Sequence, residues 1–215
     1  MTKQIVVAFT AEGSTDELFL GSIILRTLNE ISRQNYRAFD AEDIIWLGAA
    51  KGEKTLKKIM IAYEQTGARM LIIHRDTDQN SRQFIIDNHL SPILAKIPTQ
   101  VRDAIEVVPL VIRHEQETWL FADLDALDEE LDGNLDRHAL NLPPNIESRA
   151  NTKELFKHVL RQAGRKRSGR RGYDENDIVE VLATTIRLSQ LAQLPSYQQF
   201  ITDLETALCK IGYIR

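Results

Sequence analysis

The sequence lacks the features that would assign it to a disulfide-rich, secreted or membrane-spanning class. Its 215 residues include one cysteine, Cys209, so no disulfide can form within the chain and no cysteine zinc cluster exists. We therefore expect a reducing compartment. No stretch approaches the ~18 apolar residues that a membrane span needs, and the first residues lack the apolar core and cleavage site of a secretory signal. These absences predict a cytoplasmic protein without a membrane partner.

Strong net charge is also absent. The formal net charge is −4 at pH 7, so nucleic-acid binding would have to come from a local patch. Such a patch lies at residues 161–172, which carry six positive charges and no acid; removing them leaves −10 on the rest of the chain. The patch predicts binding to a phosphate backbone, and a solvated loop is the alternative. The predicted nucleic-acid-binding residues are Arg165, Lys166, Arg167, Arg170 and Arg171.

Four short apolar runs alternate with segments of helical periodicity. The runs occupy residues 4–10, 43–47, 69–74 and 106–112. This alternation predicts an α/β fold with a parallel four-stranded sheet flanked by helices, over residues 1–132. Residues 133–151 contain Pro, Gly and Asn without a clear period, which indicates a linker. We expect residues 133–215 to form this linker and a C-terminal helical extension that packs on the sheet domain.

Acidic residues follow three of the predicted strands. Glu12 comes after the first, Asp76 and Asp78 after the third, and Glu115 and Glu117 after the fourth. Ligands of open parallel sheets bind at the carboxyl ends of the strands. Carboxylates gathered there repel one another unless a cation is present, and hard oxygen ligands favour Mg²⁺ or Mn²⁺. We predict metal binding by Glu12, Asp76, Asp78 and Glu117, with Glu115 a weaker candidate.

The same residues also have structural explanations. Aspartates are common in turns, and Glu12 and Glu117 could serve as charges at helix N-termini. His74 and His114 fit strand-end positions better than acid–base roles. A nucleotide-sugar transferase also uses an Asp-x-Asp after a strand, but that function leaves Glu12 and the basic segment unexplained.

The acidic motifs resemble the Toprim domain. A strand followed by Glu12-Gly13 in AEGSTDE, and a later strand followed by Asp76-Thr77-Asp78, look like the pattern shared by primases, topoisomerases, recombination mediators and OLD-family nucleases. The resemblance implies a Rossmann-like, Toprim-like fold. It also implies that Glu12 acts in acid–base chemistry or metal binding, and that Asp76 and Asp78 hold Mg²⁺.

The second half of the chain extends the resemblance. The ETWLFAD segment at 117–123, the Tyr173 region and LPSYQQF at 194–200 are similar to a bacterial domain-of-unknown-function family related to Toprim proteins. Its members occur in mobile or defence-associated loci. The resemblance implies a Mg²⁺-dependent (or Mn²⁺-dependent) nuclease or phosphotransfer enzyme with Glu12, Asp76 and Asp78 as catalytic residues. The alternative is a non-enzymatic nucleic-acid-binding or interaction subunit that works with a partner such as an ATPase.

Overall fold

The structure, a computed structural model, describes residues 2–36, 38–166 and 172–215. The first half contains β1 (Lys3–Gln4), β2 (Val7–Thr10), α1 (Asp16–Gln34), β3 (Phe39–Asp40), β4 (Ile44–Trp46), α2 (Glu53–Ile61), β5 (Met70–Asp76), α3 (Arg82–Ile85), α4 (Ser91–Leu94), α5 (Thr99–Ala104) and β6 (Glu106–Ile112). The second half contains α6 (Glu117–Leu120), α7 (Leu124–Glu130), α8 (Arg137–Leu140), α9 (Thr152–Lys166), α10 (Glu175–Thr185), α11 (Leu188–Leu191) and α12 (Pro195–Lys210).

A four-stranded parallel sheet organises the fold, as the sequence predicts. Its strand order is β4-β2-β5-β6, and every pairing is parallel. All four residues of β2 are buried, which explains its continuous apolar sequence. The single strand predicted over residues 4–10 is divided, however, because β1 leaves this sheet and pairs with β3 in a separate two-stranded parallel ribbon. The α/β class with a parallel sheet flanked by helices is confirmed.

Alternate residues of the central strands face two different cores. Phe9 and Ile72 point into a large cluster that includes α1 and the C-terminal helices. Ala8 and Leu71 point into a smaller cluster formed with α2, α4 and α5. The period of two along each strand therefore places helices on both faces of the sheet.

The order of the strands creates a crevice at one edge. The chain passes from β2 to its neighbour β4, then crosses back over β2 to form β5 and β6. The connections after β2 and β5 consequently diverge to opposite faces. This reversal defines a topological switch point at the carboxyl ends of β2 and β5, where open α/β sheets bind their ligands.

The C-terminal helices complete the larger core. The Tyr197 hydroxyl lies 2.8 Å from Thr27 Oγ1 of α1, and its ring meets Trp119 edge to face at 5.2 Å. The LPSYQQF segment thus joins α12 to α1 and α6. Buried residues from both halves of the chain share this core, and the predicted boundary between residues 132 and 133 stays a prediction.

Several helical segments are interrupted. The segment 117–131 breaks before α7, where the Asp123 carboxylate accepts a hydrogen bond from Ala126 N–H and caps the new helix. The segment 175–191 breaks at Ile186 and Arg187. The segment 81–95 contains a wider π-helical turn at Ile86–Leu90. Within the described residues, no helix has both the length and the apolar character required to cross a membrane.

Candidate functional site

The carboxyl ends of β2, β5 and β6 bring acidic residues from three parts of the chain to one edge of the sheet. Glu12 lies in the connection after β2, Asp76 is the last residue of β5, and Glu117 begins α6 after β6. The connections are short, so the strand ends determine where these side chains lie. The site therefore sits beside the switch point between β2 and β5.

Glu12 is held by two basic side chains that differ in burial. Its Oε2 atom lies 2.7 Å from Lys51 Nζ, and its Oε1 atom lies 3.6 Å from Arg75 Nε. Arg75 is buried and is fixed by hydrogen bonds that it donates to the His74 carbonyl at 2.7 Å and to Thr55 Oγ1 at 2.6 Å. Lys51 is largely exposed. Glu12 thus has one fixed and one exchangeable partner.

Asp76 lies against a completely buried histidine. His74 Nε2 is 3.2 Å from Asp76 Oδ1 and 4.0 Å from Asp16 Oδ2, while His74 Nδ1 is 3.1 Å from the Leu110 carbonyl. Burial alone would lower the pKa of His74, but the carboxylates of Asp76 and Asp16 outweigh it and raise that pKa. Burial, with the charges of Asp16 and Glu12, also raises the pKa of Asp76 against the opposing effect of His74. The raised pKa of His74 thus reflects the neighbouring negative charges, whereas the raised pKa of Asp76 reflects burial first and those charges second.

Asp16 and His74 are the members of the site that the sequence analysis missed. Asp16 lies in the first turn of α1, is buried, and accepts a hydrogen bond from Gly13 N–H at 2.9 Å. Its position four residues after Glu12, at the start of the first helix, is the available sequence signal, because that helix begins at the same edge of the sheet. His74 was predicted at the end of its strand, but β5 continues to Asp76 and leaves His74 two residues inside it; its contact with two carboxylates was not predicted.

Glu117 is buried beside the same group of charges. Its Oε1 atom lies 3.5 Å from Lys153 Nζ, the only side-chain ion pair that it makes in the described structure. Burial raises the pKa of Glu117, and the negative charges of Asp76 and Glu115 act in the same direction. Glu117 and Asp76 are therefore close enough to interact electrostatically.

Asp78 and Glu115 have different surroundings. Asp78 is exposed and has a left-handed backbone with φ of 51°; its N–H donates to the His114 carbonyl at 3.0 Å. Its carboxylate makes no hydrogen bond or ion pair with any residue that the structure describes. Glu115 Oε2 instead accepts a hydrogen bond from Lys153 N–H at 2.9 Å and so caps the start of α9. The structure brings together Glu12, Asp76 and Glu117, and it leaves Asp78 at the rim.

Unsatisfied polar atoms mark this edge. In the described part of the chain, the buried side-chain nitrogen and oxygen atoms without a hydrogen-bond partner are His74 Nε2, Asp76 Oδ1 and Gln116 Oε1. His74 Nε2 and Asp76 Oδ1 nevertheless face each other at 3.2 Å as an ion pair. Gln116 Oε1, in the connection after β6, therefore is the atom of the three that lacks the partner a buried polar group normally has.

A magnesium ion fits this donor set only in part. Across residues 2–36, 38–166 and 172–215, no group of three or more His, Cys, Asp or Glu residues is arranged to hold a metal. Mg²⁺ characteristically keeps several waters and takes one or two protein carboxylates. Glu12 and Asp76 provide that number of hard oxygen ligands, although Asp76 Oδ1 already faces His74 Nε2 at 3.2 Å.

The predicted basic patch is only partly described. Arg165 is exposed near the end of α9, and Lys166 is the last residue of that helix. Arg167, Arg170 and Arg171 lie outside the described residues.

The fold and the site define an α/β protein with a four-stranded parallel sheet and a carboxylate cluster at its switch point. Residues 11–205 match the family described as Domain of unknown function (DUF4276), and the chain belongs to this family. No curated protein and no solved structure matches the chain. The prediction of a family of unknown function is confirmed; its relation to Toprim domains stays a prediction.

Proposed function

We propose that this protein is a Mg²⁺-dependent nuclease of the Toprim type, or a related phosphotransfer enzyme acting on nucleic acid. The observation that carries the proposal is the pair of carboxylates, Asp16 and Asp76, that lie 4.0 and 3.2 Å from the buried His74 Nε2 atom beside the switch point. This is the place where a parallel sheet binds ligands. A cation there would offset the charges of Asp16 and Glu12, which add to the effect of burial in raising the pKa of Asp76.

Each residue has a proposed role. Glu12 and Asp76 would hold Mg²⁺ (or Mn²⁺), which when bound supplies a Lewis acid that stabilises charge on a phosphate. Glu12 alternatively accepts a proton from the attacking water. Glu117 would be a further ligand, and Asp78 would reach the site from the rim. Glu12 has Arg75 as its fixed partner, which orients its carboxylate.

A cleavage assay with paired variants tests the proposal. Plasmid DNA, single-stranded DNA and RNA are incubated with Mg²⁺, Mn²⁺ or EDTA and with the parent, Glu12→Gln or Asp76→Asn protein. The exposed Asp103 is changed to Asn as a control that removes the same charge elsewhere. We expect metal-dependent cleavage that falls by about 100-fold or more in both site variants, as is typical for loss of an acid–base group, and that persists in Asp103→Asn. Cleavage that survives in EDTA or in both site variants would refute the proposal.

A specific observation also supports a second candidate function, a non-enzymatic subunit that binds nucleic acid beside a partner such as an ATPase. Glu12 and Glu117 each form an ion pair with a lysine, so their charges are partly balanced without a metal. Nucleic-acid binding by the parent protein, with no cleavage under any metal condition, would favour this function. The proposed role in defence or in mobile elements comes from the resemblance alone and would apply to either candidate.

A further inference from the structure

The solvent face of α9 carries a basic residue at every fourth position. The opposite face holds Phe156, Val159, Leu160 and Ala163, which are all buried in the larger core and fix the orientation of the helix. The exposed or half-buried basic residues form what we call the α9 ridge, and they are Lys153, Lys157, Arg161 and Arg165. None of these four positions contributes to the core.

The spacing of the ridge is regular. Residues four apart follow one another along the same row of a helix, and each step advances about 6 Å along the axis, so the ridge extends over about 18 Å. Because four residues slightly exceed one helical turn, the row also winds gradually around the axis. A single line of charges of this kind suits the phosphates of one nucleic-acid strand. It does not offer the breadth of positive surface that would contact both strands of a duplex.

One end of the ridge lies in the candidate site. The N-terminus of α9 is fixed to the connection after β6, because Lys153 N–H donates to Glu115 Oε2 at 2.9 Å. Lys153 Nζ lies 3.5 Å from Glu117 Oε1. In the other direction the ridge leads along the chain toward the basic residues at 165–171. The α9 ridge therefore begins beside the acidic site and continues, along the sequence, into the basic segment.

The charge of the ridge is largely uncompensated along its own helix. The one acidic residue of α9 is Glu154, which lies 3.4 Å from Lys157 as an exposed ion pair. Such a pair contributes little and exchanges readily with another anion. Arg161 and Arg165 form no ion pair with other residues in the described part of the chain.

We propose that the α9 ridge binds the phosphate backbone of a single nucleic-acid strand and directs it toward Glu117. Binding of the strand depends only on the residues of the ridge. Delivery of the strand to a reaction centre rests on the proposed function. The ridge would give a protein with a net charge of −4 a local row of cations that can attract a polyanion.

Binding is measured separately from cleavage, with a fluorescent single-stranded oligonucleotide and the matching duplex, in EDTA and at several salt concentrations. The test variant is Lys157→Gln with Arg161→Gln. The control is Arg69→Gln with Lys210→Gln, which removes the same charge at the starts of β5 and β6, where Lys210 Nζ pairs with Glu106 at 2.6 Å. Circular dichroism and thermal unfolding verify that both variants fold.

We expect the ridge variant to bind the single strand about tenfold or more weakly. The slope of log K against log salt should fall by about 1.4 in magnitude, since each phosphate contact on a single strand contributes about 0.7. The control should keep the affinity and slope of the parent. The inference would be overturned by any of three results: unchanged binding by the ridge variant, equal losses of affinity in the ridge and control variants, or binding of the duplex as tight as that of the single strand.

The inference and the proposed function can fail independently. If the parent cleaves only with metal and Asp76→Asn does not cleave, but the ridge variant binds normally, the function stands and the ridge assignment is wrong. If the ridge variant loses binding and no protein cleaves, the ridge assignment stands and the nuclease proposal is wrong. Where both hold, the ridge variant should show a raised KM with little change in kcat, because its residues do not touch the reacting atoms.

Discussion

Asp123 ends the ETWLFAD segment, and the structure gives it a role in stability that a substitution can measure. Its carboxylate is buried and accepts hydrogen bonds from Arg187 N–H at 3.0 Å, Arg187 Nε at 2.7 Å and Ala126 N–H at 3.3 Å. One side chain thus caps α7 and holds the turn between α10 and α11. We expect Asp123→Ala to loosen both connections.

The magnitude follows from the groups left without partners. Loss of the cap at Ala126 costs about 1 kcal/mol. The Arg187 backbone N–H loses its acceptor in a partly buried position, which costs about 1–2 kcal/mol more. The half-exposed Arg187 guanidinium regains water, so its ion pair adds little. The free energy of unfolding should fall by about 2–3 kcal/mol, which corresponds to roughly 5–10 °C in Tm for a domain of this length.

Urea unfolding of the parent, Asp123→Ala and Asp123→Asn measures this cost. Asp123→Asn keeps one acceptor oxygen and should lose about half as much. Asp125→Ala is the matched control: this exposed carboxylate also pairs with Arg187, at 2.7 Å, and should leave stability close to that of the parent. A loss of less than about 0.5 kcal/mol in Asp123→Ala, within the range of ordinary surface substitutions, would refute the reasoning.

The same pair predicts a dependence on pH. Burial disfavours the charge of Asp123, but the hydrogen bonds from Arg187 and Ala126 outweigh it and lower its pKa. Because the pKa of Asp123 is lower in the folded state than its unfolded value of about 3.9, the ionised carboxylate stabilises the folded protein above about pH 3.9. This stabilisation is lost as the pH falls through the folded-state pKa. The difference between parent and Asp123→Asn should therefore shrink in acid. A difference that stays constant from neutral pH to pH 2 would contradict this assignment.

Three further predictions concern the edge of the sheet. Burial raises the pKa of Glu117. Ionisation of Glu117 therefore lowers the stability of the protein as the pH rises from about 4.3, the unfolded pKa, through the folded-state pKa. In urea unfolding at about pH 8, the free energy of unfolding of Glu117→Gln should exceed that of the parent by about 0.5–1 kcal/mol, and this gain should disappear in acid. Glu115→Ala removes the acceptor of Lys153 N–H and should cost about 1 kcal/mol in the same assay, whereas an unchanged midpoint would exclude capping. Lys51→Ala removes the exposed partner of Glu12, and calorimetry should show Mg²⁺ binding a few-fold tighter than in the parent; weaker binding would mean that Lys51 does not compete with the ion.

The sheet could be predicted because its strands are buried on both faces. Val7, Ala8 and Phe9 are all fully buried, so apolar residues follow one another without alternation. The break before α7 could not be predicted from periodicity, because apolar residues continue across it while the Asp123 carboxylate caps the new helix at Ala126 N–H. The second contact of this carboxylate, with Arg187, joins residues 64 apart in the chain and has no local signal.

The sequence predicts those residues of the site whose positions are determined by the ends of the strands. Glu12 and Asp76 follow adjacent strands, so their proximity follows from the parallel order of β2 and β5. The contact of Asp16 with His74 depends on how α1 leaves the strand, which no local pattern specifies. The sequence likewise does not show that Asp78 takes a left-handed conformation and lies at the rim, because that conformation depends on its hydrogen bonds with His114.

The basic side chains that contact the acidic site are of two kinds, buried and exposed. The exposed ones can leave their carboxylates when a ligand binds. Arg75 and His74 are buried, with side-chain exposures of 3% and 0%, and moving them would leave buried charges unpaired. Lys51 and Lys153 have side-chain exposures of 69% and 47%, so water replaces their carboxylate contacts at little cost. A phosphate that attracts these lysines would free oxygen atoms of Glu12 and Glu117 for a cation. Cation and phosphate would therefore each strengthen the binding of the other, because a coupling between two ligands is reciprocal.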